Sequence, residues 1–307
     1  MTMRQKRGIM YGACVLVLLL ALGTGIFFGT RYYRQLQEQK VMAGFEALLN
    51  QEDLTVTRLQ KYVDKNLNAV SPENAALLVS GIERVQIANL PQWEQKYAAE
   101  EVQRQLAQSL QENGWALPDP DSIPDETLQA LLRATAAEGY KVETAEGFFF
   151  PVADYAFYDR YLNRVPQDLA AYLAIMKIES DQMPAKDAAL IIGWDEVLQR
   201  AVRQEQFLSE FGDIGDMGTG TASPRTQTQA RAQAQMQAQV ETVRALLERY
   251  VMFTLFGLNN TPLFNYEDGR MVAEARQAYQ EFSDGADSAV GGGAGNALHF
   301  SGVDFYT

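Results

Sequence analysis

Residues 8–30 read GIMYGACVLVLLLALGTGIFFGT, an apolar stretch that contains no charged side chain. A helix that rises about 1.5 Å per residue crosses a hydrocarbon core of about 30 Å with roughly 20 residues. The stretch is therefore long enough to span a bilayer once. We predict a single N-terminal transmembrane helix at 8–30 that carries the rest of the chain.

Basic residues on both sides of this segment predict its orientation. Three of them lie within residues 1–7, and two more, Arg31 and Arg34, follow the segment. A short basic N-terminus before a single hydrophobic span usually stays in the cytoplasm. We therefore expect residues 1–7 inside the cell, and the bulk of the chain outside the cytoplasm on a signal anchor in the cell membrane.

The apolar segment also allows two further interpretations. Small residues at Ala21-Leu22-Gly23 offer a peptidase site after Gly23, but the apolar run continues to Phe28 and favours retention. Gly25 and Gly29 form a G-x-x-x-G pair, a spacing that lets two membrane helices approach closely. A homodimer through Gly25 and Gly29 is therefore a hypothesis.

The charge of the chain is concentrated in the part that follows the apolar segment. Of the 26 Lys and Arg residues, five lie at or before Arg34, whereas all 39 Asp and Glu residues lie beyond it. The remainder thus has 21 basic and 39 acidic residues, a net charge of −18. So acidic a surface repels phosphate backbones, and nucleic-acid binding is not expected.

Cysteine and histidine are too scarce to support several kinds of site. Cys14, the only cysteine, lies inside the apolar segment, so the rest of the chain has neither a disulfide nor a thiol nucleophile. His299 is the only histidine. This excludes Ser-His-Asp and Cys-His catalysis and histidine-rich metal sites, and we expect no cofactor and no metal ion. An extracytoplasmic domain without disulfides favours a bacterial envelope.

Apolar residues recur at helical spacing through most of the chain, so we predict an all-α fold with one small β-hairpin. The expected domain covers 41–282, with a stalk at 31–40, a low-complexity insertion at 212–239 and a disordered Gly-rich tail at 283–307. The hairpin is expected at 140–152, where alternating residues flank a turn. Helices are expected at 34–51, 54–70, 71–87, 90–113, 125–138, 154–161, 166–178, 184–211, 240–256 and 271–282.

Residues 178–185 read IESDQMPA and contain the sharpest catalytic candidate, Glu179. The stretch resembles the glutamate motif of soluble lytic transglycosylases and goose-type lysozymes. The resemblance implies that Glu179 is a general acid, kept protonated by an apolar pocket. The chain departs from that family further on, because residues 188–194 read AALIIGW where the family has Gly-Leu-Met-Gln. A helix that simply ends before Pro184 is the alternative interpretation.

An aromatic cluster between Phe148 and Tyr161 is the second candidate. Seven of these 14 residues are Phe or Tyr, and carboxylates lie among them. Aromatic rings beside carboxylates can bind sugars, which makes Phe149, Asp154 and Tyr158 candidate binding residues. Packing in the core is the favoured alternative, because each ring buries a large apolar area. Phe149 is expected to point outward if its neighbours point inward.

The sequence thus predicts a membrane-anchored, extracytoplasmic helical protein of the bacterial cell envelope. We expect a non-catalytic binding or scaffolding module whose partner is another envelope protein or a cell-wall component. A peptidoglycan-cleaving enzyme that uses Glu179, and a glycan-binding domain that uses the aromatic cluster, are the alternatives.

Overall fold

The computed structural model describes residues 31–113, 119–212 and 227–290 and is mostly helical. The predicted membrane segment at 8–30, with Gly25 and Gly29, lies outside the described residues, as do much of the predicted insertion and most of the tail. Among the helices that the structure describes, none is long and apolar enough to cross a bilayer.

The elements follow one another as helices interrupted by short hairpins. The helices are α1 (31–49), α2 (Val56–Asn66), α3 (Pro72–Tyr97), α4 (Glu100–Glu112), α5 (Glu126–Ala137), α6 (Gln167–Asp181), α7 (Trp194–Phe211), α8 (Gln227–Phe256) and α9 (Ala273–Val290). The antiparallel strand pairs are β1 (Tyr140–Ala145) with β2 (Phe148–Ala153), β3 (Ala185–Lys186) with β4 (Ala189–Leu190), and β5 (Gly257–Leu258) with β6 (Thr261–Pro262). Short 3-10 turns lie at Leu67–Ala69, Pro120–Ser122 and Tyr155–Tyr161.

Two predicted helix starts are confirmed by capping hydrogen bonds. Ser71 precedes Pro72, and its hydroxyl accepts a bond from the Asn74 N–H at 3.4 Å at the start of α3. The carboxylate of Asp125 accepts a bond from the Leu128 N–H at 2.8 Å at the start of α5. Each side chain satisfies a backbone donor that has no partner within its helix. The predicted hairpin is also present, with Tyr140 opposite Ala153.

Helix α3 is longer than expected because it continues through Pro91. The sequence predicted one helix that ends near Ile87 and a second that begins at Leu90. Proline lacks the N–H that would bond to the carbonyl four residues earlier, here that of Ile87. Ile87 is an exposed residue, so water can replace the missing donor. The chain instead breaks between Tyr97 and Glu100, where α4 begins.

The predicted helix from Pro184 is wrong in its first ten residues. Pro184 is followed by the β3–β4 hairpin, whose turn residues Asp187 and Ala188 have φ angles of 51° and 58°. Asn260 holds this turn, because its N–H donates to the Ala188 carbonyl at 2.9 Å and its side-chain amide to the Asp187 carbonyl at 2.8 Å. This contact between distant segments outweighs the local preference for helix, and α7 begins only at Trp194.

The last helix also differs from its prediction. The sequence predicts that this helix ends at Phe282, but α9 continues to Val290. The start of the tail that was predicted to be disordered is therefore helical. Residues 291–307 lie outside the described residues.

Two apolar clusters lie along α3 and form most of the core. The main cluster joins α3 to α1, α2, α6, α7, α8 and the 3-10 turn at Tyr155–Tyr161. The second joins the C-terminal end of α3 to α4, α5 and the β1–β2 hairpin through Trp93, Tyr97 and Phe149. Because α3 contributes to both, it is the element on which the domain is built.

The two halves of α8 are packed very differently. Its second half is anchored by side chains such as Val243, Tyr250 and Phe253, which are all buried. Its first half is rich in Ala and Gln, and before Val240 the apolar residue that packs against the main cluster is Met236. Short alanine side chains bury little apolar area, so the first half gains less from packing than the second.

This contrast predicts unequal hydrogen exchange along one helix. We expect the backbone amides of 229–238 to exchange roughly tenfold or more faster than those of 243–253, because weakly packed helix ends open locally. Exchange mass spectrometry on the full-length protein, corrected for intrinsic rates, measures the ratio. Equal protection along α8 would contradict the packing difference.

Candidate functional site

An open groove of about 720 Å³ lies between α1, α3 and the first half of α8. Ligand sites in proteins are typically clefts of roughly 300–1,000 Å³, lined mainly by apolar side chains with a few polar groups. The groove has this composition. Its charged lining is Glu46, Arg84 and Arg231, and its apolar side chains are those of Met42, Phe45, Leu49, Leu77, Val85, Ala88 and Ala234.

The spacing of the lining residues explains why two helices form a groove. Helix α1 contributes Met42, Phe45 and Leu49, and α3 contributes Leu77 and Val85, with further residues at intervals of three and four. Such residues lie on one face of a helix. The groove is thus the trough between two apolar helix faces, and the start of α8 lies against it.

Gly81 sets how closely α1 and α3 approach at the bottom of this trough. A Cβ atom placed on Gly81 would lie only 2.3 Å from Cζ of Phe45, so no other residue fits without movement. The Phe45 ring is therefore packed directly on the backbone of α3.

The charges at the groove are mainly those of arginine side chains. Arg231 forms an ion pair with Glu46, and both side chains remain about half exposed. Arg84 is exposed and forms no ion pair with any residue that the structure describes. In a chain of such negative charge, an unpaired cation beside apolar side chains favours an anionic ligand group.

A smaller cavity of about 210 Å³ lies on the other side of α8, against α3 and α6. Leu77 and Gln235 line both cavities. The carboxylate of Asp168 lines the smaller one, and its Oδ1 atom is buried without a hydrogen bond to the described residues. The first half of α8 is therefore flanked by open space on both sides.

Glu179, the catalytic candidate, lies in a compact polar cluster between α6, α7 and α8. The Tyr250 hydroxyl lies 2.9 Å from both Glu179 carboxylate oxygens and donates to them. Arg200 Nη1 lies 3.8 Å from Glu179 Oε1, and the Gln204 amide donates to the same oxygen at 3.4 Å. The Glu179 side chain is 11% exposed and that of Arg200 3%.

The environment of Glu179 opposes its ionisation through burial, but it also provides hydrogen-bond donors to both carboxylate oxygens. Burial raises its pKa, while the hydrogen bond from Tyr250 and the charge of Arg200 act in the opposite direction. A raised pKa is what a general acid requires. Glu179 lines neither of the two cavities described above, and both of its oxygens already accept hydrogen bonds. In this conformation the cluster holds three helices together.

The aromatic candidates are mostly core residues. Phe149 is 1% exposed and Tyr158 fully buried, whereas Phe148 is 48% exposed. The predicted outward orientation of Phe149 is therefore wrong. Gln103 explains the reversal, because its side-chain amide bonds to both the N–H and the carbonyl of Phe149 at 2.9 and 2.7 Å. This fixes the strand face that meets the second apolar cluster.

Asp154 has a local structural role. Its carboxylate accepts a hydrogen bond from the Ala156 N–H at 3.0 Å and caps the 3-10 turn at Tyr155–Tyr161. Ser180, next to Glu179 in sequence, accepts a bond from the Tyr155 N–H at 3.0 Å. The two candidate segments are thus neighbours, but neither lines the groove.

A buried polar row on α3 was not singled out by the sequence. Glu83, which is 4% exposed, accepts hydrogen bonds from the hydroxyls of Tyr155 and Tyr172 at 2.7 and 2.6 Å. One turn later, Gln86 accepts a bond from the Tyr158 hydroxyl at 2.7 Å. Polar residues three apart within an otherwise apolar helix are the signal that could have identified this row.

Burial raises the pKa of Glu83, although the two tyrosine hydrogen bonds act against the shift. The native state therefore keeps a proton at pH values where the unfolded chain has lost it, and native stability falls as pH rises above the ordinary glutamate pKa. We expect Glu83→Gln to gain stability over the wild type across this range, by at most about 1.4 kcal/mol per pH unit. Denaturant unfolding of both proteins at several pH values measures the difference.

Glu38 provides a control of opposite sign. Burial alone would raise the pKa of Glu38. The hydrogen bonds that its carboxylate accepts from Asn74 and Ser71 outweigh burial, so the net effect is a lowered pKa. Its stabilising contribution is present above the ordinary glutamate pKa and disappears as pH falls. Glu38→Gln should therefore lose stability relative to the wild type at neutral pH. A Glu83→Gln difference that does not vary with pH would contradict the assignment.

The groove residues were also missed as a site. Their apolar spacing predicted two helices, but the trough exists only because these helices lie side by side and no other element covers this part of their apolar faces.

Comparison of the chain with known protein families, with curated proteins and with solved structures finds no match.

Proposed function

We propose that this protein is a membrane-anchored, extracytoplasmic binding module of the bacterial cell envelope, and that it binds its partner in the groove between α1, α3 and α8. The observation that carries the proposal is the groove itself, with its apolar floor and its two arginines. Its volume and composition are those of a ligand site.

The start of α1 supports the anchoring part of the proposal. Tyr32 and Tyr33 are 65% and 62% exposed, and they lie between Arg31 and Arg34 directly after the apolar segment. Tyrosine is enriched where a membrane helix leaves the bilayer, because its ring prefers the headgroup region. Exposed aromatic side chains at this position fit an interfacial anchor.

Cell fractionation tests the anchoring, and external protease tests the orientation. We expect the full-length chain in the membrane fraction, and we expect protease added to bacteria with a permeabilised outer layer to cleave it. A chain that stays intact, while a known external domain is cleaved in the same sample, would contradict the orientation.

A pair of matched variants tests the groove. Ala234 and Ala238 are both exposed alanines of α8, one turn apart, but only Ala234 lines the groove. Ala234→Trp should fill the groove and reduce partner recovery about tenfold or more in cross-linked affinity purifications, whereas Ala238→Trp should leave it unchanged. Equal recovery with both variants would contradict the groove as the binding site.

A peptidoglycan-cleaving activity of Glu179 is the second candidate, favoured by the raised pKa of this carboxyl group. Incubation of the protein with purified sacculi tests it. Release of muropeptides by the wild type and its loss in Glu179→Gln would support catalysis. Absence of release, or equal release by the variant, would rule out this role.

A further inference from the structure

We infer that the groove binds an amphipathic α-helix of a partner protein, whose apolar face is flanked by carboxylate side chains. The inference deepens the proposed function, on which it rests, because it states the chemistry of the partner.

The shape of the groove fits a helix. Its wall on α3 runs from Leu77 to Ala88, which at about 1.5 Å per residue is roughly 16 Å, or three helical turns. The trough between two helices accepts the ridge of a third, as helix packing requires. Two open, apolar helix faces at this spacing therefore present the receiving surface for an apolar helix stripe.

The charge of the groove selects the flanking residues of that helix. Arg84 has no ion pair among the described residues, so a ligand carboxylate would give it one. Arg231 is paired with Glu46, and this pair is exposed to solvent, where an ion pair contributes little stability. A carboxylate of the partner can therefore take the place of Glu46 at small cost. The acidic residues elsewhere in the chain repel a partner helix that carries carboxylates, so such a helix approaches the domain preferentially on the side of these two arginines.

The position of the groove favours a protein partner over a membrane lipid. Measured along α1, Met42 lies about 16 Å and Leu49 about 27 Å beyond Arg31. The headgroup layer adds only about 5–8 Å to each side of the hydrocarbon core. If α1 continues the predicted membrane helix, an acyl chain that stays in the bilayer does not reach the groove.

Two synthetic peptides of about 14 residues test the inference. Both place leucines at i, i+3, i+4 and i+7, and they carry either glutamate or lysine at the flanking positions. Their binding to the full-length protein in nanodiscs of neutral lipid is measured by fluorescence anisotropy, and binding to empty nanodiscs is subtracted. We expect the acidic peptide to bind at least about tenfold more tightly than the basic one.

Charge variants of the protein sharpen the test. Arg84→Glu should weaken the acidic peptide about tenfold or more, and Glu46→Gln should strengthen it about threefold by freeing Arg231. Arg58→Glu is the matched control, because Arg58 is an exposed arginine of α2 that does not line the groove, and it should change affinity less than about twofold. Ala234→Trp should abolish binding of the peptide.

The outcomes separate the inference from the proposed function. Equal binding of the two peptides, or no binding of either, would overturn the inferred partner chemistry. Equal weakening by Arg84→Glu and Arg58→Glu would overturn it as well. The groove would then still be tested independently by partner recovery with Ala234→Trp and Ala238→Trp, which depends on the natural partner and not on the peptide.

Discussion

Gly81→Ala is expected to destabilise the protein by about 2–3 kcal/mol, because the new methyl group overlaps the ring of Phe45. The added methyl carbon would lie 2.3 Å from Cζ of Phe45, and two further ring carbons would lie 3.2 Å away. Either the buried ring leaves its site or α1 moves away from α3. Both responses also deform the groove. Denaturant unfolding of the full-length protein in mild detergent measures the loss.

Two controls give this prediction its specificity. Gly285, in α9, has open space where a Cβ would lie, so Gly285→Ala should be neutral or stabilising by up to about 1 kcal/mol. Phe45→Leu removes the atoms that overlap the new methyl group. The double variant of Gly81 and Phe45 should therefore be less destabilised than the sum of the single changes. Additive losses would mean that the two residues do not interact as described.

Arg200→Ala is expected to cost about 3–5 kcal/mol, because it leaves a buried carboxylate without its cation. Arg200 lies between two glutamates, since its Nε donates to Glu196 at 2.8 Å and its Nη1 lies 3.8 Å from Glu179. The same Nη1 also donates to the Gln182 carbonyl at 2.8 Å. Removal of the guanidinium group therefore removes the contacts of Arg200, on α7, with Glu179 and Gln182 at the end of α6. The free energy of unfolding measures the effect.

The companion change separates charge from packing. Glu179→Gln keeps an acceptor for the Tyr250 hydroxyl and leaves Arg200 paired with Glu196, so we expect a cost of only about 1 kcal/mol. Added to Arg200→Ala, it should recover part of the loss, because no buried charge is then left unpaired. If the double variant is as unstable as Arg200→Ala alone, packing and not charge dominates at this site.

Much of the helical fold could be predicted from the sequence, because helix caps and tight turns are formed by residues that are close together in the chain. The cap at Ser71 with Pro72, and the cap at Asp125, act within one turn of the chain, and both starts are confirmed. The β1–β2 hairpin is likewise local, with a tight turn at Glu146 and Gly147. Such signals depend on neighbours in sequence, which are visible without a structure.

The errors arose where distant residues decide the conformation. The sequence pattern predicts a helix start at Pro184 and a helix boundary at Pro91. The first segment folds into a hairpin held by Asn260, and the second stays helical, with Ile87, whose carbonyl lacks its usual donor, on an exposed part of α3. The orientation of Phe149 was inverted for the same reason, since Gln103 of α4 fixes the strand face. None of these contacts is encoded by spacing along the chain.

The groove, too, depends on contacts between residues that are distant in sequence. The apolar spacing of α1 and α3 predicts that each helix buries one face, but not that a length of both faces remains unfilled. That outcome depends on the short side chains of α8, such as Ala234, and on the close approach at Gly81. The sequence therefore predicted a binding module without locating its surface.

Site-specific photo-crosslinking in intact cells tests the central claim, that the groove binds the partner, most directly. A photoreactive residue is placed at Leu49, which lines the groove, or at Ala47, an exposed residue of α1 that does not. We predict a light-dependent adduct with a second protein from position 49 only, and its loss when Ala234→Trp is added. Adducts of equal yield from both positions, or an adduct from position 49 that survives Ala234→Trp, would contradict the claim.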